Sequence, residues 1–240
     1  MEWNGHNMTK SEANQPFKQR VGPYFEVVIL LGLLVLLLWN FDAIRFHEVA
    51  WIIFFFGTYL IRLPYMKLTE DKDITVDKKT LQERILLTVV FISMGPLPVG
   101  YLATKNGAWD VLSFANYSLP TGLSLIGMGL VPIFAFLFWR AHADLGRNWS
   151  PTLEMHREHT IVTNGVYSYV RHPMYSALII GVIAHPLLIQ NWIAGGMIIV
   201  AFLTMLVLRI PKEEAMLLEE FGDEYREYMG RTGRLIPKLH

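Results

Sequence analysis

The chain has 240 residues, of which 52% are hydrophobic and 13% are aromatic. This composition is typical of a membrane protein and too apolar for a soluble domain of this length. The 21 basic residues balance the 21 acidic ones, so the charge does not indicate a nucleic-acid-binding surface. The sequence contains no cysteine, which excludes disulfides, thiolate metal ligands and a cysteine nucleophile.

The first part of the chain alternates between polar and apolar segments. Residues 1–20 are polar and lack the apolar core of a signal peptide, so we expect a cytoplasmic N-terminal tail. Four apolar segments of about the length of a membrane span follow, near 21–39, 49–66, 85–102 and 119–139. Residues 21–139 are therefore predicted to form four transmembrane helices.

The apolar region at 174–208 is too long for a single span. It is interrupted at His185-Pro186 and again at Gln190-Asn191, where a proline removes a backbone donor and two amides suit a turn at the membrane surface. We interpret this region as a tight helical hairpin. The predicted fold class is thus an all-α integral membrane protein of about six transmembrane helices.

Basic residues give the predicted orientation. If the chain has six spans, both termini lie on the same side of the membrane. The basic residues concentrate in the segments on that side, and the segments on the opposite side carry only Arg45 and Lys105. The positive-inside rule then places both termini and the polar motifs of residues 140–240 in the cytoplasm. We expect residues 140–240 to form the functional region, with a connector, the hairpin and a C-terminal amphipathic helix. Gly222 interrupts the pattern of that helix and marks either a close contact or a bend.

Hydrogen-bonding side chains cluster immediately before the hairpin. They include Tyr167, Arg171, His172 and Tyr175, and Pro173 among them is typical of the first turn of a helix. Unpaired backbone N–H groups at such a helix start would point to the cytoplasm and could bind a polar ligand. The alternative is an interfacial belt that only anchors the helix. The density of polar groups favours a ligand site.

Arg209 and Glu213 follow the second apolar half of the hairpin. Four residues apart, they share one helical face if the helix continues through Pro211. An ordinary surface ion pair is the alternative. Because the hairpin returns Arg209 to the membrane face of His172, we expect both to border one cytoplasmic pocket. An arginine there is suited to binding a carboxylate or phosphate.

The connector between the fourth span and the hairpin contains Ile161-Val162 among polar residues and an Asn164-Gly165 turn. Its backbone could bind a ligand, or the segment could simply join two spans. Four histidines, at 142, 156, 159 and 172, lack the spacing of a metal site, and the sequence predicts no metal.

Several motifs together resemble the isoprenylcysteine carboxyl methyltransferases, in particular their short prokaryotic members. The matching segments are Leu145 to Ser150, His159 to Val162, Gly165 to Tyr167, Arg171 to Tyr175, Asn191-Trp192, Arg209 to Glu214, Glu219 to Tyr225 and Arg234 to Pro237. The resemblance covers about residues 140–240.

The resemblance implies a membrane methyltransferase that uses S-adenosyl-L-methionine and methylates the carboxylate of a membrane-embedded, lipid-tailed isoprenylcysteine. It also implies roles for individual residues. Arg209 would bind the substrate carboxylate, and Glu213 would contact the cofactor and share in catalysis. The other cofactor-binding residues would be His159, Thr160, Ile161, Val162, Tyr167, His172, Pro173, Met174 and Tyr175.

This chemistry needs no general base, because a carboxylate is already ionised at neutral pH. Methylation of a phospholipid amine or a small thiol, the alternative within the wider superfamily, requires deprotonation, and only His172 or Glu213 could serve. A transporter or receptor without catalytic activity is the remaining alternative. Few charges lie within the predicted spans, which disfavours an ion pathway.

Overall fold

The computed structural model describes residues 31–35, 37–68, 74–77, 80–150, 152–157 and 159–238. The predicted N-terminal tail and much of the first predicted span lie outside these ranges. Helical backbone begins at the first described residues, over 31–35 and 37–39, which belong to the end of that span.

Helices dominate the described residues. They are α1 (Phe46–Lys67), α2 (Leu81–Met94), α3 (Pro96–Thr104), α4 (Thr121–Leu145), α5 (Pro173–Leu188) and α6 (Met197–Arg231). Two short strands, β1 (Ile74–Asp77) and β2 (Glu154–His156), pair in antiparallel orientation. The helical class is confirmed, whereas the sequence did not predict this strand pair between the loop after α1 and the connector after α4.

Within the described ranges, three helical segments are long and apolar enough to cross a membrane: Phe46–Met66, Leu81–Thr104 and Thr121–Asn148. They coincide with the predicted segments 49–66, 85–102 and 119–139. The middle segment comprises two helices, since the backbone leaves helical geometry at Gly95 before Pro96 starts α3. A Cβ at Gly95 would lie 2.3 Å from the ring of Phe55, so α1 packs directly against this break.

Residues 189–196 separate α5 from α6. The interruption predicted at Gln190-Asn191 is confirmed, but the one predicted at His185-Pro186 is wrong because α5 continues through both residues to Leu188. A proline in the last turn removes a single helical hydrogen bond. The buried His185 ring also holds this turn in place, with Nδ1 3.0 Å from the carbonyl oxygen of Gly195.

The helix α6 passes through Pro211 without a break and bends at Gly222. Gly222 has a φ of +54°, and no atom lies within 4 Å of a Cβ placed there. This residue therefore provides a bend and not a close contact. Beyond the bend, Tyr225 and Tyr228 are buried while Glu224 and Glu227 are exposed, as expected for an amphipathic helix.

Two apolar clusters meet at α5. The larger includes Trp51 and Phe55 of α1, Phe134 of α4 and Ala177 of α5. The smaller is formed by Tyr175 of α5 with apolar residues of α6 such as Phe202. The helix α5 thus contributes to both clusters and packs against α1, α4 and α6.

Candidate functional site

A cavity of about 230 Å³ is enclosed by α1, α2, α4, α5, α6 and the connector after α4. With the exception of Pro173, every residue that the sequence predicts at the site lines this cavity. These lining residues are His159, Thr160, Ile161, Val162, Tyr167, His172, Met174, Tyr175, Arg209 and Glu213. Pro173 is buried in the first turn of α5, between two of them.

Glu213 lies at the centre of the polar part of the cavity. The Tyr175 hydroxyl donates a hydrogen bond of 2.7 Å to Glu213 Oε2, and His172 Nδ1 lies 3.8 Å from Glu213 Oε1. Arg209 Nε lies 4.0 Å from Glu213 Oε2, since the unbroken helix places both residues on one face. The Glu213 side chain is 28% exposed, against 3% for His172 and 9% for Arg209. It is therefore the most accessible charged group of this cluster.

Glu214 organises the rim of the site, a role that the sequence did not predict. Its Oε1 accepts hydrogen bonds from Arg171 Nε at 3.0 Å and Arg234 Nε at 3.2 Å, and His172 Nε2 lies at 3.3 Å. Burial opposes ionisation of Glu214, but hydrogen bonds from His172, Arg234 and Arg171 prevail and lower its pKa to about 2. Adjacent residues point about 100° apart on a helix, so Glu213 faces the cavity while Glu214 ties α6 to α5.

The C-terminal segment covers the start of α5. The backbone N–H groups of Arg171 and His172 donate to the carbonyls of Gly233, at 2.8 Å, and Arg234, at 3.0 Å. Ser176 Oγ donates to the Leu235 carbonyl at 2.6 Å. The expectation of unpaired N–H groups at this helix start is therefore wrong for Arg171 and His172, because their donors bind the C-terminal segment.

Arg209 makes a second ionic contact that the sequence did not predict. Its Nη1 donates to Glu83 Oε1 at 3.0 Å, and the Leu153 N–H donates to the same oxygen at 3.1 Å. The spacing of Thr80 and Glu83 predicts a helix cap. Thr80 does cap α2 by accepting from the Glu83 N–H at 3.1 Å. The local sequence therefore explains Glu83 as part of a helix cap and gives no sign of its contact with Arg209, which depends on the tertiary structure.

Tyrosines line the cavity beside this ionic cluster. The Tyr228 hydroxyl donates to the Tyr167 carbonyl at 2.6 Å, and the Tyr167 hydroxyl donates to the Ala141 carbonyl at 3.3 Å. Burial raises the pKa of Tyr228 to about 12 and, with the nearby Glu213 charge, raises the pKa of Tyr167 well above its ordinary value. Both hydroxyls are therefore neutral donors at physiological pH.

Tyr225 differs from the other tyrosines of the cavity. Its side chain lines the cavity and the residue is 2% exposed, yet within the described part of the chain its hydroxyl has no hydrogen-bond partner. Burial, as the largest cause, raises the pKa of Tyr225, so the hydroxyl retains its proton. A buried polar atom without a partner costs free energy unless a ligand or water satisfies it.

The connector is held by side chains of α4 and the turn that follows it. Asn148 Oδ1 accepts from the Thr160 N–H at 3.0 Å, and Asp144 Oδ2 accepts from the Val166 N–H at 2.9 Å. The predicted reversal at Asn164-Gly165 is confirmed: Gly165 has a φ of +56°, and a Cβ there would lie 2.1 Å from Asp144 Oδ2. Only glycine fits this position without strain.

The described residues contain no group of three or more His, Asp or Glu side chains that could hold a metal ion. Two of the four histidines considered as metal ligands contact other groups instead. His142 Nδ1 lies 2.8 Å from the Phe138 carbonyl oxygen, and His172 lies between Glu213 and Glu214.

Comparison with known proteins supports the predicted family. Residues 125–219 match the model of the isoprenylcysteine carboxyl methyltransferase family. Protein-S-isoprenylcysteine O-methyltransferase B of Arabidopsis thaliana is 31% identical over 130 residues, which cover 53% of this chain and 66% of that protein. The Saccharomyces cerevisiae protein-S-isoprenylcysteine O-methyltransferase is 29% identical over 219 residues, which cover 87% of this chain and 86% of that protein.

The similarity to a solved structure is weaker. The eukaryotic intramembrane Ras methyltransferase, an isoprenylcysteine carboxyl methyltransferase, is 23% identical with a TM-score of 0.43, over 68% of this chain and 54% of that chain. The chain spans only part of the length of several curated relatives, from 48% of the Schizosaccharomyces pombe protein to 66% of the Arabidopsis thaliana protein.

Proposed function

We propose that the chain is a membrane enzyme that methylates the carboxylate of a lipid-tailed, isoprenylcysteine-like substrate, since residues 125–219 match the model of the isoprenylcysteine carboxyl methyltransferase family. S-adenosyl-L-methionine would serve as the methyl donor, and the product would be a methyl ester. The substrate is the chemical class that the names of the relatives indicate for those proteins.

One observation carries this proposal: a single cavity has both a polar and an apolar lining. Its polar residues include His172, Arg209 and Glu213, and its apolar residues come from all five helices that enclose it. These apolar residues include Leu87, Val90, Leu178, Val182, Phe202 and Met205. A lipid-tailed carboxylate needs such a combination, because its tail partitions into apolar surroundings while its head requires a cation.

The polar residues fit a cationic methyl donor. Glu213 offers a carboxylate to the cavity, and Tyr225 offers a buried hydroxyl that lacks a partner in the described part of the chain. Tyr167 and Tyr175 add aromatic surface, which attracts cations. When bound there, S-adenosyl-L-methionine would supply an electrophilic methyl group on a sulfonium. Glu213, Tyr225, His172 and the connector residues His159 to Val162 would hold it.

Arg209 would bind and orient the acceptor carboxylate. It follows the apolar segment 197–208 of α6 and lies within the same cluster as Glu213. Because an ionised carboxylate is itself the nucleophile, the residues of the site need to position it and exclude water, and no proton needs to be removed. Arg209→Ala should reduce turnover about 100-fold or more while the affinity for S-adenosyl-L-methionine largely survives.

The proposal is tested with the purified full chain and tritiated S-adenosyl-L-methionine. N-acetyl-farnesylcysteine and phosphatidylethanolamine are offered as acceptors in parallel. We expect base-labile methyl incorporation into the cysteine derivative, which identifies an ester. Base-stable methylation of the phospholipid would overturn the proposed acceptor and support the amine alternative, and failure of both acceptors would also overturn it.

The proposal includes six spans, with the termini, the site and a functional region of residues 140–240 facing the cytoplasm. Residues of α1 and α2, such as Arg62 and Leu87, also line the cavity, so spans before residue 140 would complete the site. Because the sequence lacks cysteine, single introduced cysteines give a clean accessibility test. In intact cells, a membrane-impermeant thiol reagent should label Trp192→Cys and spare Glu227→Cys. The reverse pattern would contradict the orientation.

A further inference from the structure

Glu83 is a buried carboxylate at the start of α2, and its residue is 6% exposed. Burial of a carboxylate is costly unless ionic or hydrogen-bonding partners compensate. The N-terminus of α2 does not need it as a cap, since the Thr80 side chain already accepts from the Glu83 N–H. Glu83 also lies outside residues 125–219, which match the family model. Its burial therefore needs an explanation in this chain's own contacts.

Glu83 Oε1 joins three parts of the protein. It accepts from Arg209 Nη1 of α6 at 3.0 Å and from the Leu153 N–H of the connector at 3.1 Å. The neighbours of Leu153, Thr152 and Glu154, line the same cavity as Arg209. The position of the Arg209 guanidinium is thereby fixed relative to both α2 and the connector.

Glu83 contacts Arg209 through one carboxylate oxygen, and this contact restricts the orientation of the guanidinium. A bidentate ion pair would use both carboxylate oxygens, but within the described part of the chain Glu83 Oε2 is buried without a hydrogen-bond partner. A long arginine side chain has many rotamers, and a fixed anion behind it restricts them. Such restriction increases the rate of a reaction that depends on orientation.

We propose that Glu83 is a positioning residue that holds the Arg209 guanidinium in the orientation required to bind the acceptor carboxylate. This inference rests on the proposed function, in which Arg209 binds that carboxylate. Glu83 does not contact the acceptor and acts through Arg209.

The test compares Glu83→Ala and Glu83→Gln with Gln82→Ala in the full chain. Gln82 is a matched control, since it is exposed and its Oε1 accepts from Lys212 Nζ at 3.0 Å across the same two helices. For each variant, kcat and KM are measured with N-acetyl-farnesylcysteine, and the affinity for S-adenosyl-L-methionine is measured by calorimetry. Inhibition is compared between unreactive carboxylate and carboxamide analogues of the acceptor.

We expect Glu83→Ala to lower kcat/KM about 10- to 100-fold while the affinity for S-adenosyl-L-methionine changes less than about twofold. The preference for the carboxylate inhibitor over the carboxamide should fall with it, an effect that a merely structural role would not produce. Glu83→Gln retains an acceptor oxygen and should lose less, and Gln82→Ala should behave as the native chain. Glu83→Gln decides the question if Glu83→Ala does not fold.

A double-mutant cycle completes the test. If Glu83 acts through Arg209, Glu83→Ala should cause no further loss of turnover or carboxylate preference in the Arg209→Ala background. Additive losses, or an equal loss of cofactor affinity, would overturn the inference while leaving the proposed function intact. If Arg209→Ala alone leaves turnover unchanged, the proposed role of Arg209 fails, and the inference fails with it.

Discussion

The two ends of α5 both bury polar side chains, but only the C-terminal end satisfies them completely within the protein. There, Asn191 Nδ2 donates at 2.8 Å to both the Leu112 carbonyl and Asn116 Oδ1. Its Oδ1 accepts from the backbone N–H groups of Ile193, at 3.0 Å, and Ala194, at 2.8 Å. This amide uses its hydrogen-bonding capacity entirely on structure.

The N-terminal end of α5 borders the cavity and leaves polar atoms available. Glu213 keeps 28% of its side chain exposed, and the hydroxyl of Tyr225 has no partner among the described residues. The comparison shows that buried polarity alone does not identify a site. A closed network specifies the fold, whereas a network with unsatisfied atoms directed at a cavity indicates a place for a ligand.

The C-terminal end of α5, where the hydrogen-bond network is closed, should respond to mutation with the largest loss of stability. Asn191→Ala removes four hydrogen bonds and leaves buried partners unsatisfied, so we expect the free energy of unfolding to fall by about 2–4 kcal/mol. Chemical denaturation in detergent measures this, and the affinity for S-adenosyl-L-methionine of the folded fraction should not change. Val111→Ala, at a 73% exposed position, is the control and should change little. A loss of cofactor affinity in folded Asn191→Ala would break the comparison.

At the N-terminal end of α5, which borders the cavity, mutation should mainly weaken the binding of ligands. Glu213→Ala should weaken the binding of S-adenosyl-L-methionine about 10- to 100-fold, since it removes the accessible anion of the cavity. Calorimetry measures the affinity, and Asp223→Ala is the control because Asp223 lies on the same helix with its side chain 93% exposed. Unchanged affinity in Glu213→Ala would remove Glu213 from the cofactor site.

The sequence predicts which residues line the cavity better than it predicts the contacts between them. Long apolar segments and Pro173 predict helices, and the four-residue spacing of Arg209 and Glu213 predicts that they share one helical face. These signals are local in the sequence. The cofactor-binding residues of the connector and the start of α5 are predicted through a family resemblance, and the fold brings all of them except Pro173 to the wall of one cavity.

Contacts between distant segments could not be predicted in the same way. Glu83 and Arg209 are 126 residues apart, and Arg171 lies 43 residues from Glu214. No local period encodes either pairing. The error at His185-Pro186 has a related cause, since the contact of His185 with Gly195 that holds the last turn of α5 depends on the following loop.

A smaller effect is expected at Tyr225. Tyr225→Phe removes only the hydroxyl that lacks a partner in the described part of the chain, so stability should stay the same or rise slightly. If the cofactor satisfies this hydroxyl, its affinity should fall about 3- to 10-fold. Tyr228→Phe is the contrasting variant, because its hydroxyl already donates to the Tyr167 carbonyl and its loss should reduce stability instead. Equal stability losses in both variants would contradict the distinction between open and closed groups.

The last effect is confined to acidic pH and concerns Glu214, which lies beyond the apolar segment of α6. Its pKa is lowered from 4.5 to about 2 in the folded protein, so its contribution to stability is fully present above about pH 4.5 and is lost as the pH falls toward 2. Glu214→Gln lacks this charge. The difference in melting temperature between the native chain and Glu214→Gln should therefore shrink as the pH is lowered from about 5 to about 3. A constant difference over that range would show that Arg171, His172 and Arg234 do not depend on the Glu214 charge, and the rim of the site would then belong with the closed networks held by neutral hydrogen bonds.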